Sequence, residues 1–173
     1  MYSNNLSLFI ATLEEKISKH KPEYILYRDK ENRNYDKFAD DFVITCGFFE
    51  NTKSFLHQNV ELAKKLGAQG VHLTSLQFDE ITYAKSLGLE VIISTHSHEE
   101  VLKAESLGAD AVTYSPIFHS PNKGEPKGVE DLKKIIEESK INIFALGGIV
   151  ENEQLRAIEN VKPFGFASIR YFY

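Results

Sequence analysis

Lys123 and Lys127 stand in a loop that also holds Pro121, Gly124, Pro126 and Gly128, and two lysines there suit an anionic ligand. The loop follows a β-rich run, Ala111 to Phe118, and precedes an apolar-periodic segment that begins near Val129. In repeating β/α proteins such loops carry the chemistry, because strand ends hold side chains in place while loops are free to vary. A second cationic group, Arg28-Asp29-Lys30, ends the aromatic and β-branched run that starts at Glu23. Residue type alone reads these cations equally well as solvated charges at the rim of a sheet. His72 falls within an apolar strand and is read as a core histidine, and Cys46 as a small buried hydrophobe.

The elements that would position these groups recur with a regular beat. Leu66-Gly67, Leu87-Gly88 and Leu107-Gly108 each close an apolar-periodic segment, and each is followed within a few residues by a short apolar strand. Glycine just past a helix is the usual left-handed terminator, since it has no Cβ to clash. Before the repeat, Leu6 to Ile17 shows one apolar helical face capped by Asn5 or Ser7 and closed by Pro22, Tyr35 to Phe42 predicts a short helix, and Lys53 to His57 predicts a strand. After it, Ser97 and Glu100 spell a capping box. Helices near Glu130–Glu138 and Asn152–Ile158 then alternate with strands at Ile143–Leu146 and Phe164–Ile169.

Helices alternating with buried strands and no hairpin turns imply a parallel sheet. The seven strands point to a parallel (β/α)8 TIM barrel, incomplete at its termini, with an open doubly wound sheet as the rival. Either an end of the barrel lies outside this chain, or a second subunit, as in a homo-oligomer, covers the open strand edge.

The 173 residues are read as a single barrel domain, 1–173, with 42% hydrophobic and 26% charged residues. The formal net charge of −5 argues against nucleic acid and anionic membranes as partners, leaving a local cationic pocket for a small molecule. A single cysteine rules out an internal disulfide, and no run approaches a membrane span of ~18 apolar residues, so the expected location is cytoplasmic.

Several motifs together resemble the thiamin phosphate synthase and TenI superfamily, from about Glu23 to Ile169. Tyr27-Arg28-Asp29-Lys30 is similar to the family's Gln-x-Arg-Glu-Lys. Gly70-Val71-His72-Leu73 and Ser94-Thr95-His96-Ser97 match Gly-Val-His-Leu and Ser-Thr-His-Ser. Ser115-Pro116-Ile117-Phe118-His119-Ser120-Pro121-Asn122-Lys123 matches Gly-Pro-Ile-Phe-Pro-Thr-x-Thr-Lys, and Ala145-Leu146-Gly147-Gly148-Ile149 follows in order. The resemblance implies (β/α)8 proteins that join hydroxymethylpyrimidine diphosphate to a thiazole phosphate, expelling pyrophosphate with Mg²⁺. It implies that Arg28, Lys30, Ser120, Asn122 and Lys123 hold the diphosphate, and that Lys123 and Ser94 act at the reacting centre. Gly147, Gly148 and Arg170 would bind the thiazole phosphate, with the two glycines admitting backbone N–H groups after strand seven.

This chain departs from the family pattern at several places. Gln77 stands in the place of the magnesium-binding aspartate that follows Gly-Val-His-Leu, and the second metal aspartate falls near Gly88, with Asp79 and Glu90 two residues away. A neutral amide is a poor ligand for a hard cation. Leu26 replaces the motif glutamine, His57-Gln58 replaces an Asn-Asp pair, and Arg170 replaces a phosphate-binding serine while keeping bidentate phosphate recognition. Two alternatives follow. One is a TenI-like thiazole tautomerase, whose acid/base histidine aligns with Pro116 here, with His96, His98 and His119 nearby. The other is a non-catalytic phosphate- or thiamin-binding relative that has lost the metal carboxylates.

Overall fold

The computed structural model describes residues 5–121 and 123–172. Among them are seven strands in one parallel sheet, in the order β1-β2-β3-β4-β5-β6-β7, each preceded by a helix, which is the arrangement of an incomplete parallel (β/α)8 barrel. The residues divide into two compact units, the first running to His72 with Ser86–Glu90, the second comprising Leu73–Lys85 and Val91 onward.

In the first unit, α1 (Leu6–His20) starts on Asn5, whose side chain accepts from the Leu8 amide at 3.2 Å. Strand β1 (Tyr24–Tyr27) pairs in parallel with β2 (Lys53–His57), and β2 with β3 (Gly70–Leu73). Helix α2 spans Tyr35–Gly47, five residues past the expected end at Phe42. Val43, Ile44 and Thr45 are weak helix formers, but the apolar face of Phe38, Ala39, Phe42 and Cys46 continues through them and is buried, and burial outweighs propensity. The hydroxyl of Thr45 donates to the Asp41 carbonyl at 2.7 Å. Cys46 is a buried free thiol, pushed up to about 12 by desolvation, which suits its role as a core residue. Helix α3 is Val60–Leu66.

The second unit carries α4 (Glu80–Ser86), most of β4 (Glu90–Thr95), α5 (His98–Ser106), β5 (Ala111–Tyr114), α6 (Gly128–Glu138), β6 (Asn142–Leu146), α7 (Asn152–Glu159) and β7 (Gly165–Ala167). Gly67, Gly88 and Gly108 have φ of 72°, 79° and 83°, the left-handed stops read from the sequence. The capping box at α5 forms only in part. The Ser97 side chain accepts from the Glu100 amide at 3.2 Å, but the Glu100 carboxylate accepts from the His96 amide instead of that of Ser97. The last strand is shorter than Phe164–Ile169, because a 3₁₀ turn begins at Arg170. Among the described residues, no helix is long and apolar enough to cross a membrane.

Candidate functional site

The loop after β5 is held by backbone bonds along its length. Ser115-Pro116 is a cis peptide, Ile117 donates to the Leu146 carbonyl at 3.0 Å, and Phe118 donates to Gly147 at 3.0 Å. Its far end is tied back by Lys127 donating to Pro116 at 2.9 Å and Gly128 to Ile117 at 3.0 Å. These bonds place the loop at the C-terminal end of β5, where side chains are fixed by the strand behind them. Ser120 is buried and its carbonyl accepts from the Lys123 amide at 3.2 Å, while Lys123 itself is exposed. Asn122 lies outside the described residues. The Lys127 ammonium sits 5.2 Å from the Tyr114 ring centre, so it is partly engaged in a cation–π contact.

Gly147 and Gly148 follow β6, not a seventh strand as expected, and their φ values are 100° and 71°. A Cβ on Gly147 would lie 2.8 Å from Pro116 Cα, and one on Gly148 would lie 2.6 Å from Phe118 Cβ and 2.7 Å from the His119 carbonyl oxygen. Their immediate requirement is therefore to let the β5 loop lie against the β6 loop. Arg170 is exposed in the final 3₁₀ turn. The same turn is tied to the β6 loop by Ser168, a residue the sequence did not single out, whose hydroxyl donates to the Ile149 carbonyl at 2.7 Å.

Ser94 precedes the end of β4 and is half-buried. Two residues on, His96 places Nδ1 3.0 Å from the Ser115 carbonyl, an acceptor, so Nδ1 is the donor of that contact. His98 is engaged between two helices. Its Nδ1 lies 2.8 Å from Glu138 and its Nε2 3.3 Å from Asp131, so it joins α5 to α6. Asp131 also accepts from the Tyr114 hydroxyl at 2.6 Å, and burial with that bond holds the Tyr114 phenol well above its ordinary range. His119 is exposed and Pro116 offers no ionisable side chain, so of the three histidines it is His96 that is held against the β5 loop.

The metal positions do not fit a divalent cation. The Gln77 carbonyl oxygen accepts from the Thr74 amide and hydroxyl at 3.2 and 3.1 Å, and its amide donates to Glu80 at 2.9 Å, so both ends of the side chain are used locally. Gly88 lies before β4, at the opposite end of the strand from the loop at His96. Glu90, two residues on, is at that same end and is paired with Lys53 at 2.9 Å. Among the described residues no group of three acidic, histidine or cysteine side chains is arranged to hold a metal.

In the first unit, Arg28 and Lys30 follow β1, both exposed, with the buried Asp29 between them accepting from the Glu31 amide at 3.2 Å. The Tyr35 hydroxyl accepts from the His57 amide at 3.2 Å and donates to the Tyr27 carbonyl at 3.2 Å, bridging the ends of β1 and β2. Burial raises the Tyr35 phenol, the bond from the His57 amide opposes that rise, and the charges of Asp36 and Asp29 add to it; the ring also stacks on Tyr27 at 4.8 Å. His57 and His72 are neighbours across β2 and β3, with Nδ1 atoms 3.4 Å apart. Burial is the first cause that lowers both, His57 to about 4 and His72 to about 3. The charges of Arg28 and Lys30 add to it at His57, and those of His57 and Arg28 at His72. His72 is a core histidine, as read. The sequence signal for His57 is its place at the end of the strand Lys53–His57.

The family model described as thiamine monophosphate synthase matches residues 3–170. The chain belongs to this family. Among relatives, the thiamine-phosphate synthase of Caldicellulosiruptor saccharolyticus is 31% identical over 159 residues, 86% of this chain and 68% of its own. That of Bacillus licheniformis is 31% identical over 163 residues, 88% of this chain and 72% of its own. A solved thiamine phosphate pyrophosphorylase from Pyrococcus furiosus superposes with a TM-score of 0.80 at 26% identity, over 92% of this chain and 78% of that one. This member of the thiamine monophosphate synthase family carries exposed cations after β1, at Arg28 and Lys30, and after β5, at Lys123.

Proposed function

We propose that this chain binds a diphosphate ester through Arg28, Lys30 and Lys123 and carries out synthase-type C–N bond formation. The thiazole nitrogen attacks the methylene carbon of hydroxymethylpyrimidine diphosphate, the C–O bond breaks, and pyrophosphate leaves with the bonding pair. The observation that carries the reading is the loop from Ser115 to Lys123, tied to Leu146 and Gly147 at the strand ends, in a chain of this family. Lys123, Arg28 and Lys30 supply fixed positive charge where the leaving group becomes more anionic, and such preorganised charge lowers the barrier. Ser94 and Ser120 supply hydroxyl donors, Asn122 an amide donor, and Gly147, Gly148 and Arg170 hold the thiazole phosphate.

The test is pyrophosphate release from the two substrates, with thiamin phosphate followed by fluorescence after oxidation, in Mg²⁺ and in EDTA. Coupled formation of both products establishes the reaction, and its survival in EDTA is expected if the protein cations alone suffice. A second reading, diphosphate binding without turnover, is favoured by the engagement of Gln77 with Thr74 and Glu80. It predicts a raised melting temperature with pyrophosphate and no product.

Replacing Lys123 with alanine separates ligand binding from scaffold. Because Lys123 is exposed, stability should change by less than ~0.5 kcal/mol. Loss of a charge-assisted contact should weaken pyrophosphate binding by roughly tenfold or more. Calorimetric titration checks this, and unchanged affinity rejects the role.

A further inference from the structure

The register that pairs Tyr27 with Leu56, carried one residue on, brings Arg28 alongside His57. His57 is 7% exposed, its Nδ1 faces His72, and its Nε2 is buried with no hydrogen-bond partner. A buried polar atom left unsatisfied is costly and uncommon, and here it accompanies two exposed cations at the same strand ends. The groups around it are Arg28 and Lys30 after β1, the Tyr35 hydroxyl from α2, and His72 from β3, with the buried Asp29 acting on Tyr35. In the empty protein, desolvation and the two cations hold the His57 ring neutral.

We propose that Arg28, Lys30 and His57 form one anion-binding group, in which His57 gains a proton from solvent as a diphosphate binds. An anion on Arg28 and Lys30 cancels the repulsion that keeps the imidazole neutral and gives Nε2–H an acceptor. No covalent bond changes apart from the new N–H. The third positive charge therefore exists only when the anion is present to balance it, and the empty site avoids holding three cations together. The inference rests on the diphosphate-binding reading and adds that binding is linked to proton uptake at a residue this chain has in place of an amide.

The test is side-chain NMR of the histidines in the full chain across about pH 8 to about pH 3, free and with saturating pyrophosphate or sulfate. Sulfate does not titrate in this range, so it separates the ligand's own protonation from that of His57. The His57 signal, assigned by its loss in His57→Asn, should shift its midpoint up by about one pH unit or more with either anion. Sulfate affinity should rise several-fold from about pH 7 to about pH 4 in the wild type and stay flat in His57→Asn. A second variant, His57→Gln, guards against misfolding in the first, with the amide spectrum as the check. Pyrophosphate binding that leaves the His57 midpoint unmoved overturns the proposal while diphosphate binding stands. Failure of both anions to bind overturns both readings.

Discussion

Gly148→Ala should destabilise the protein by about 2–4 kcal/mol and abolish whatever ligand binding the Ser115–Ser120 loop supports. Two costs combine. A left-handed φ of 71° penalises any residue with a Cβ by about 1 kcal/mol. The new methyl would also meet Phe118 Cβ at 2.6 Å and the His119 carbonyl oxygen at 2.7 Å, and backbone cannot step aside as a flexible side chain would. Relief requires the loop to lift, which breaks the Phe118–Gly147 bond that ties it to β6. Gly88→Ala is the matched control: its φ is 79° but nothing lies within 4 Å of the added Cβ, so it should cost only the conformational part, about 1 kcal/mol. Urea unfolding of the two variants checks this, and equal losses would show that the loop yields freely.

Acidification from about pH 7 to about pH 4 should remove stability through the His57–His72 pair. Both imidazoles are lowered from 6.5 in the folded chain, to about 4 and about 3. Between those values and 6.5 the unfolded chain binds more protons than the folded one, so stability rises with pH and falls on acidification. The contribution is fully present above the unfolded value and is lost as pH falls toward the folded ones. His57→Asn should retain about 2 kcal/mol more of its neutral-pH stability at about pH 4 than the wild type does. Denaturant titrations at a series of pH values give the comparison, and parallel curves for the two proteins would refute the assignment.

The helix stops, the strand at Lys53–His57 and the core character of His72 were legible because each depends on local pattern. Left-handed glycines follow their helices directly, and apolar strands keep their own periodicity. The boundaries of α2 and β7 were not, since Val43 to Thr45 oppose a helix locally and only the buried face of Phe38, Phe42 and Cys46 extends it. The candidate cations Arg28, Lys30 and Lys123 could be named from residue type and motif, because charge in a loop is a property of the chain.

Partnership could not be read in the same way. His98 looked as available for acid/base chemistry as His96, yet α6 brings Glu138 and Asp131 against it while Ser115 orients His96. Gly147 and Gly148 suggested backbone approach to a phosphate, and in the fold the β5 loop lies so near that a Cβ added at either would clash with it. Gln77 declared the loss of a carboxylate, whereas its bonds to Thr74 and Glu80 depend on the local turn. The sequence by itself determined the family, the order of strands and helices, and which charged residues stand at strand ends. Only the tertiary structure decided which of those groups are neutralised by a neighbour and which, like Nε2 of His57, are left without one, because hydrogen bonds and desolvation depend on residues distant in sequence but adjacent across the sheet.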